Sequence, residues 1–165
     1  MKKCWIVLVM AAFLSGCGSQ ETFETVTDTV VVPVMAQMAE LQVALPEEAA
    51  MPSMENGDTG KLYLCDGYTI TVHTEPAGDL EKTLLQSTGF SGDRLTVMKT
   101  ERGGIDRYEC VWSAAGEGGD QVGRAVILND GSYHYVVTVM ADFSVAGELT
   151  EEWQKILDSV TLSTD

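Results

Sequence analysis

Positive charge is the scarcest property of this 165-residue chain: 10 Lys and Arg stand against 25 Asp and Glu, for a net charge of -15. So negative a surface repels phosphate backbones instead of releasing their counterions, which excludes nucleic acid as a partner class. Histidine is confined to His73 and His134, and no Gly-x-Ser-x-Gly elbow, phosphate-binding P-loop or His-Glu-x-x-His motif occurs. Hydrolase and nucleotide chemistry therefore have no foundation in the sequence, and a non-enzymatic protein without a cofactor is expected. No apolar run reaches the roughly 18 residues of a membrane-spanning helix. Cysteine, at four residues, is too sparse for a disulfide scaffold, and aromatics supply only 7%. What remains is ordinary globular usage, 45% hydrophobic and 21% charged, in a length that suits one domain of about 150 residues plus a targeting segment.

The targeting segment is the most specific stretch. Lys2 and Lys3 form a positive n-region, and Cys4 to Phe13 form an apolar run of signal-peptide length. It leads into Leu14-Ser15-Gly16-Cys17, which resembles the lipobox of bacterial lipoproteins. The resemblance implies that the signal, residues 1–16, is cut away and that Cys17 becomes the new amino terminus with a diacylglyceryl group on its thiol, whose two acyl chains give the stable anchoring that one chain cannot. The product would have 149 residues and, without Lys2 and Lys3, a net charge of -17. It would sit on the outer face of the cell membrane, held there through Cys17, with an envelope protein as its possible partner.

Residues 17–40 carry Glu21, Glu24 and Asp28 and no basic group, and read as a flexible acidic tether. Cys4 leaves with the signal and Cys17 is used by lipid, so Cys65 and Cys110 remain, and an oxidising compartment suggests that they form one disulfide. Closing that loop would remove about 4 kcal/mol of denatured-state entropy. Two buried free thiols are the alternative. A cysteine metal pair is disfavoured, because neither residue has a Cys or His beside it at ligand spacing.

Residues 41–165 read as a single α+β domain. Strands are expected at 41–45, 61–65 and 68–74, the last two joined by the hairpin dipeptide Asp66-Gly67. Asp79 as N-cap, the Leu80, Leu84 and Leu85 face and Gly89 as terminator predict a helix over 80–88. A four-strand meander follows at about 94–101, 105–113, 121–128 and 132–140, with Leu128 expected opposite Tyr133 and Val126 opposite Tyr135. One face of it carries Val126, Leu128, Tyr133, Tyr135, Val137 and Val139. Leu149, Trp153, Ile156, Leu157 and Val160 share one side of a terminal helix that can cover that face, with Thr150 as N-cap and Glu152 pointing to solvent. The expectation is an antiparallel sheet of about six strands with two helices packed on it. This order, with the ending Trp153 to Val160, resembles the PsbP-like fold, a sandwich whose members are known as accessory factors that bind proteins or ions. That resemblance implies architecture and no functional residue.

Weaker constellations complete the reading. The pairs Met35 with Met38 and Met51 with Met54 offer soft thioether ligands for Cu(I), but methionine is also a generic packing residue. Glu117 and Asp120 bring two carboxylates to a Gly-rich loop, too few for a Ca²⁺ cage. Tyr63, Tyr68, Tyr108 and Trp112 would line a ligand groove only if alternation did not send them into the core. On the lipobox evidence, Cys17→Ala is expected to abolish acylation and leave unprocessed or released protein. Acyl labelling and detergent fractionation in the expressing bacterium check it, and labelling at the wild-type level would refute the assignment.

Overall fold

A computed structural model describes residues 37–57, 60–115 and 119–163, all within one compact unit, Met35–Asp165. Cys17 and Met35 lie outside the described residues, as does Glu117. Among the described residues nine strands and three α-helices follow in the order β1 (Glu40–Gln42), β2 (Met54–Asn56), β3 (Gly60–Leu64), β4 (Tyr68–Pro76), α1 (Leu80–Thr88), β5 (Thr96–Arg102), β6 (Ile105–Ala114), β7 (Gln121–Asn129), β8 (Tyr133–Asp142), α2 (Phe143–Ala146), α3 (Thr150–Asp158) and β9 (Thr161–Ser163). Seven strands form one antiparallel sheet in the order β2-β3-β4-β8-β7-β6-β5, while β1 pairs with β9 in a separate two-stranded sheet. The α+β sandwich is therefore as expected in kind. It is richer than expected by β2, β9 and α2, which are too short to leave a periodic signal.

The register of the β7–β8 hairpin departs from expectation by two residues. Leu128 faces Tyr135 and Val126 faces Val137, because the turn is built from more than two residues. Asp130 closes it, its Oδ1 accepting the amides of Ser132 at 2.8 Å and Tyr133 at 2.7 Å. A slip of two keeps every side chain on its face, so the expected apolar surface survives the error.

That surface is covered by α3. Trp153, Ile156, Leu157 and Val160 are buried against Val126, Leu128, Tyr135, Val137 and Val139, with Trp153 only 1% exposed. Arg107 on β6 donates to the Leu157 carbonyl at 2.9 Å, an acceptor in the last turn of the helix, and to the Val160 carbonyl at 3.2 Å, which lies past the helix end at Asp158 and not on the helix as expected. Glu109 orients the guanidinium through a 2.6 Å ion pair. The helix begins less simply than expected: Leu149 holds the cap position, and the Thr150 hydroxyl instead donates back to the carbonyls of Ala146 and Gly147. Glu152, expected in solvent, accepts a 2.8 Å hydrogen bond from the Tyr68 hydroxyl, and Tyr68 in turn packs obliquely on Trp153.

The opposite face carries a smaller core of Leu84, Cys110, Trp112, Ala125, Ile127 and Val136, capped by α1. Helix α1 has the bounds its cap signals predict: the Asp79 side chain accepts the Glu81 amide, and Gly89 adopts a left-handed φ of 79°. Gly123 on β7 exists for a different reason. Trp112 lies against it so closely that a Cβ there would meet the indole at 2.3 Å.

Removing the indole of Trp153 combines lost burial with a cavity, so Trp153→Ala is expected to cost about 3 to 5 kcal/mol. Trp153→Phe should cost less, because it fills more of the site and deletes an indole N–H that has no hydrogen-bond partner. Glu152→Ala, which loses the Tyr68 bond, should cost about 1 kcal/mol. Denaturant melts of the three variants check this ranking.

Candidate functional site

Cys65 and Cys110 are free thiols, which corrects the expected disulfide between them. Cys65 follows β3 and packs on the α3 side of the sheet, whereas Cys110 on β6 belongs to the α1 side. Strands β4, β8 and β7 separate β3 from β6, four spacings or about 19 Å, far beyond the roughly 7 Å that a disulfide permits between Cα atoms. Counting cysteines and naming a compartment say nothing about which face each occupies. Neither thiol is primed for nucleophilic work. Burial pushes Cys110 up to about 11, and burial together with the carboxylates of Glu48 and Glu152 raises Cys65, although the Tyr68 hydroxyl opposes the rise.

The histidines converge where sequence spacing gave no hint of it. His73 and Glu75 sit two apart on β4, on the α1 side, and Glu75 is directly opposite His134 on β8. Thr83 of α1 reaches into this group. Its hydroxyl donates to Glu75 Oε1 in a very short bond and lies 2.8 Å from His134 Nδ1. A hydroxyl has one proton, so if it goes to Glu75 the second contact requires His134 to donate from Nδ1, which fixes the neutral tautomer. Thr83 is 3% and His134 1% exposed while Glu75 is half-buried, so the hydroxyl and the imidazole are closed off beneath α1. Its role is to fasten α1 to two strands at once.

Two surface features remain. Met38, Leu41 and Val43 lie across Lys61, Tyr63, Val72 and Thr74, leaving an open groove of about 220 Å³, smaller than typical ligand sites of roughly 300 to 1,000 Å³. The four aromatic residues do not share it: Tyr63 and Tyr68 are buried on the α3 side, Tyr108 and Trp112 on the other. Among the described residues no cluster of His, Cys, Asp or Glu is arranged to hold a metal. Met51 and Met54 both project into solvent, and the Asp120 carbonyl accepts the Phe143 amide.

The larger feature is the half of the α1 side that no described element covers. Helix α1 packs over β7 and β8, and a helix about 10 Å across spans only about two strands at 4.8 Å spacing. Strands β2, β3 and β4 extend past it. The alternation of side chains puts Met54, Leu62, Leu64, Thr69, Thr71 and Met140 on this open half, in the cross-strand rows Met54–Leu62–Thr71–Thr138 and Leu64–Thr69–Met140. Met54 is 66% and Leu64 58% exposed. Thr138, at the border with α1, keeps a buried hydroxyl with no hydrogen-bond partner. The sequence does carry a signal for this surface. Lys61 to Cys65 places Leu62 and Leu64 on one side and Tyr63 and Cys65 on the other, and in an antiparallel sheet only a strand with apolar residues on both faces needs cover twice.

No protein-family model and no curated protein matches the chain. Solved structures do. PA94 of Pseudomonas aeruginosa, a protein of unknown function, superposes with a TM-score of 0.50 at 8% identity, over 77% of this chain and 100% of that one. The fold is shared. LpqN of Mycobacterium tuberculosis, involved in cell envelope biogenesis, gives a TM-score of 0.49 at 11% identity, over 78% of this chain and 87% of that one. At these identities no residue role passes between the chains.

Burial holds His134 below the ordinary histidine range despite the nearby Glu75 and Asp130, and holds His73 down despite Glu75. Both stay neutral when folded while the unfolded chain takes up protons near pH 6.5, so their contribution to stability is full above that pH and is lost as the pH falls below it. The denaturant midpoint is expected to drop between about pH 7.5 and about pH 5, and to drop less in His134→Gln. An unchanged slope in the variant would remove His134 from the linkage.

Proposed function

We propose that the protein is a lipid-anchored, extracytoplasmic accessory domain that acts by binding another protein and carries out no chemistry of its own. The anchor follows from the lipobox-like Leu14-Ser15-Gly16-Cys17, and the PsbP-like order of elements points to the same accessory role. The observation that carries the binding role is the open half of the α1 side. A soluble domain rarely leaves neighbouring apolar residues such as Met54, Leu62 and Leu64 on a flat sheet face unless something docks there. The second reading, a small-ligand or metal-ion binding lipoprotein, has one observation in its favour. The groove under Met38, Leu41 and Val43 is lined by apolar side chains with Lys61 among them, the arrangement an amphiphilic anion would fit.

A photo-crosslinking amino acid placed at Leu64 separates the two. In the native envelope it should capture a discrete protein, while the same group at Glu151 on the outer side of α3 should not. Equal, diffuse labelling from both positions would remove the open face as the docking surface. Saturable binding of a small amphiphile that Lys61→Ala abolishes would favour the groove.

A further inference from the structure

The charges around the open face restrict what can dock on it. Strands β2, β3, β4 and β8 contain one lysine and no arginine; the lysine is Lys61, and its register with Val72 puts it on the α3 side. On the α1 side of these strands every charged group is a carboxylate: Glu75 at one end and Asp142 at the other. Asp66 lies exposed in the β3–β4 turn just beyond Leu64. Helix α1 contributes Glu81 and Lys82, which cancel. An apolar, threonine-studded floor is thus bordered by negative charge, within a chain whose net charge is -15.

That border argues against three occupants. A second copy would bring the same carboxylates to the interface, where like charges oppose association. An anionic membrane surface repels the patch. A neutral apolar peptide would gain nothing from the border and would leave its carboxylates partly desolvated. Resting on the accessory-domain reading above, we propose that the occupant is a polypeptide segment whose apolar side chains are flanked by lysine or arginine. Its apolar residues cover Met54, Leu62, Leu64 and Met140, and its cations meet the exposed Asp66 and Asp142, Glu75 being held by Thr83 under α1. Opposite charge at the border steers such a segment into place, while the uncharged centre avoids burying an unpaired ion.

The test uses the acylated full-length chain in nanodiscs of zwitterionic lipid, with empty nanodiscs as the blank. Two short fluorescent peptides share an alternating Leu and Thr centre, one flanked by Lys and the other by Glu. The Lys-flanked peptide is expected to bind at least about tenfold more tightly, and to weaken as salt rises. Leu64→Lys should reduce its affinity at least about tenfold, whereas Met98→Lys, on an exposed strand elsewhere, should leave it unchanged. Circular dichroism of Leu64→Lys keeps loss of fold apart from loss of binding. Equal affinity for the two peptides, or none for either, would overturn the proposal. So would self-association that Leu64→Lys abolishes, which would make the occupant a second copy, or binding of the peptide to empty nanodiscs alone. A crosslink from Leu64 to a partner surface without basic residues would overturn the charge assignment and leave the accessory role standing.

Discussion

The seating of α3 on the sheet is the interaction on which the rest of this domain depends. Trp153 and its apolar neighbours on the helix provide the burial, but burial is non-directional and would permit the helix to slide. Position comes from polar contacts at its two ends. Near the start Tyr68 donates to Glu152, and past the end the Arg107 guanidinium takes the carbonyls of Leu157 and Val160 while Glu109 holds it in orientation. Those contacts reach β4 on one side and β6 on the other, so the helix spans the centre of the sheet and cannot drift without breaking one of them. The same strands carry the smaller core on their other face.

The two faces are covered unequally as a result. The α3 side also receives α2, β1, β9 and the segment through Leu45, and its core is the larger. The α1 side has one nine-residue helix, fastened by the buried contact of Thr83 with Glu75 and His134. Seven strands are wider than one helix, so incomplete cover follows from geometry. What is specific to this sequence is its response: threonines and large apolar residues occupy the uncovered rows, with no lysine or arginine there, although edge strands and open faces are commonly protected by lysine.

Much of this was legible in the sequence, and the misses have definite causes. Helix α1 could be read to the residue because its signals are local: Asp79 before it, Gly89 after it and leucines between. The core face of β7 and β8 could be read even though the register was misplaced by two, because alternation depends only on parity. The Cys65–Cys110 pairing failed because it is a long-range property, decided by three intervening strands that the count does not contain. The meeting of His73, Glu75, Thr83 and His134 was hidden for the same reason, since it requires β4 to pair with β8 across the whole meander. The open face was half visible in Leu62 and Leu64, which a strand with a single buried side would not need.

The pairing of β1 with β9 has a mechanical meaning. Glu40 faces Ser163, so the described chain enters and leaves the domain at the same place, through a ladder of three residue pairs. Beside it the Ala39 amide donates to the Tyr135 hydroxyl, and the Ala44 amide to the Ser159 hydroxyl. A pull transmitted from the amino-terminal side meets these few bonds first and the seven-stranded sheet only afterwards. Under load the three-pair β1–β9 ladder would therefore part before any strand of the larger sheet, so the first force this edge resists is set by a handful of backbone bonds and not by the core.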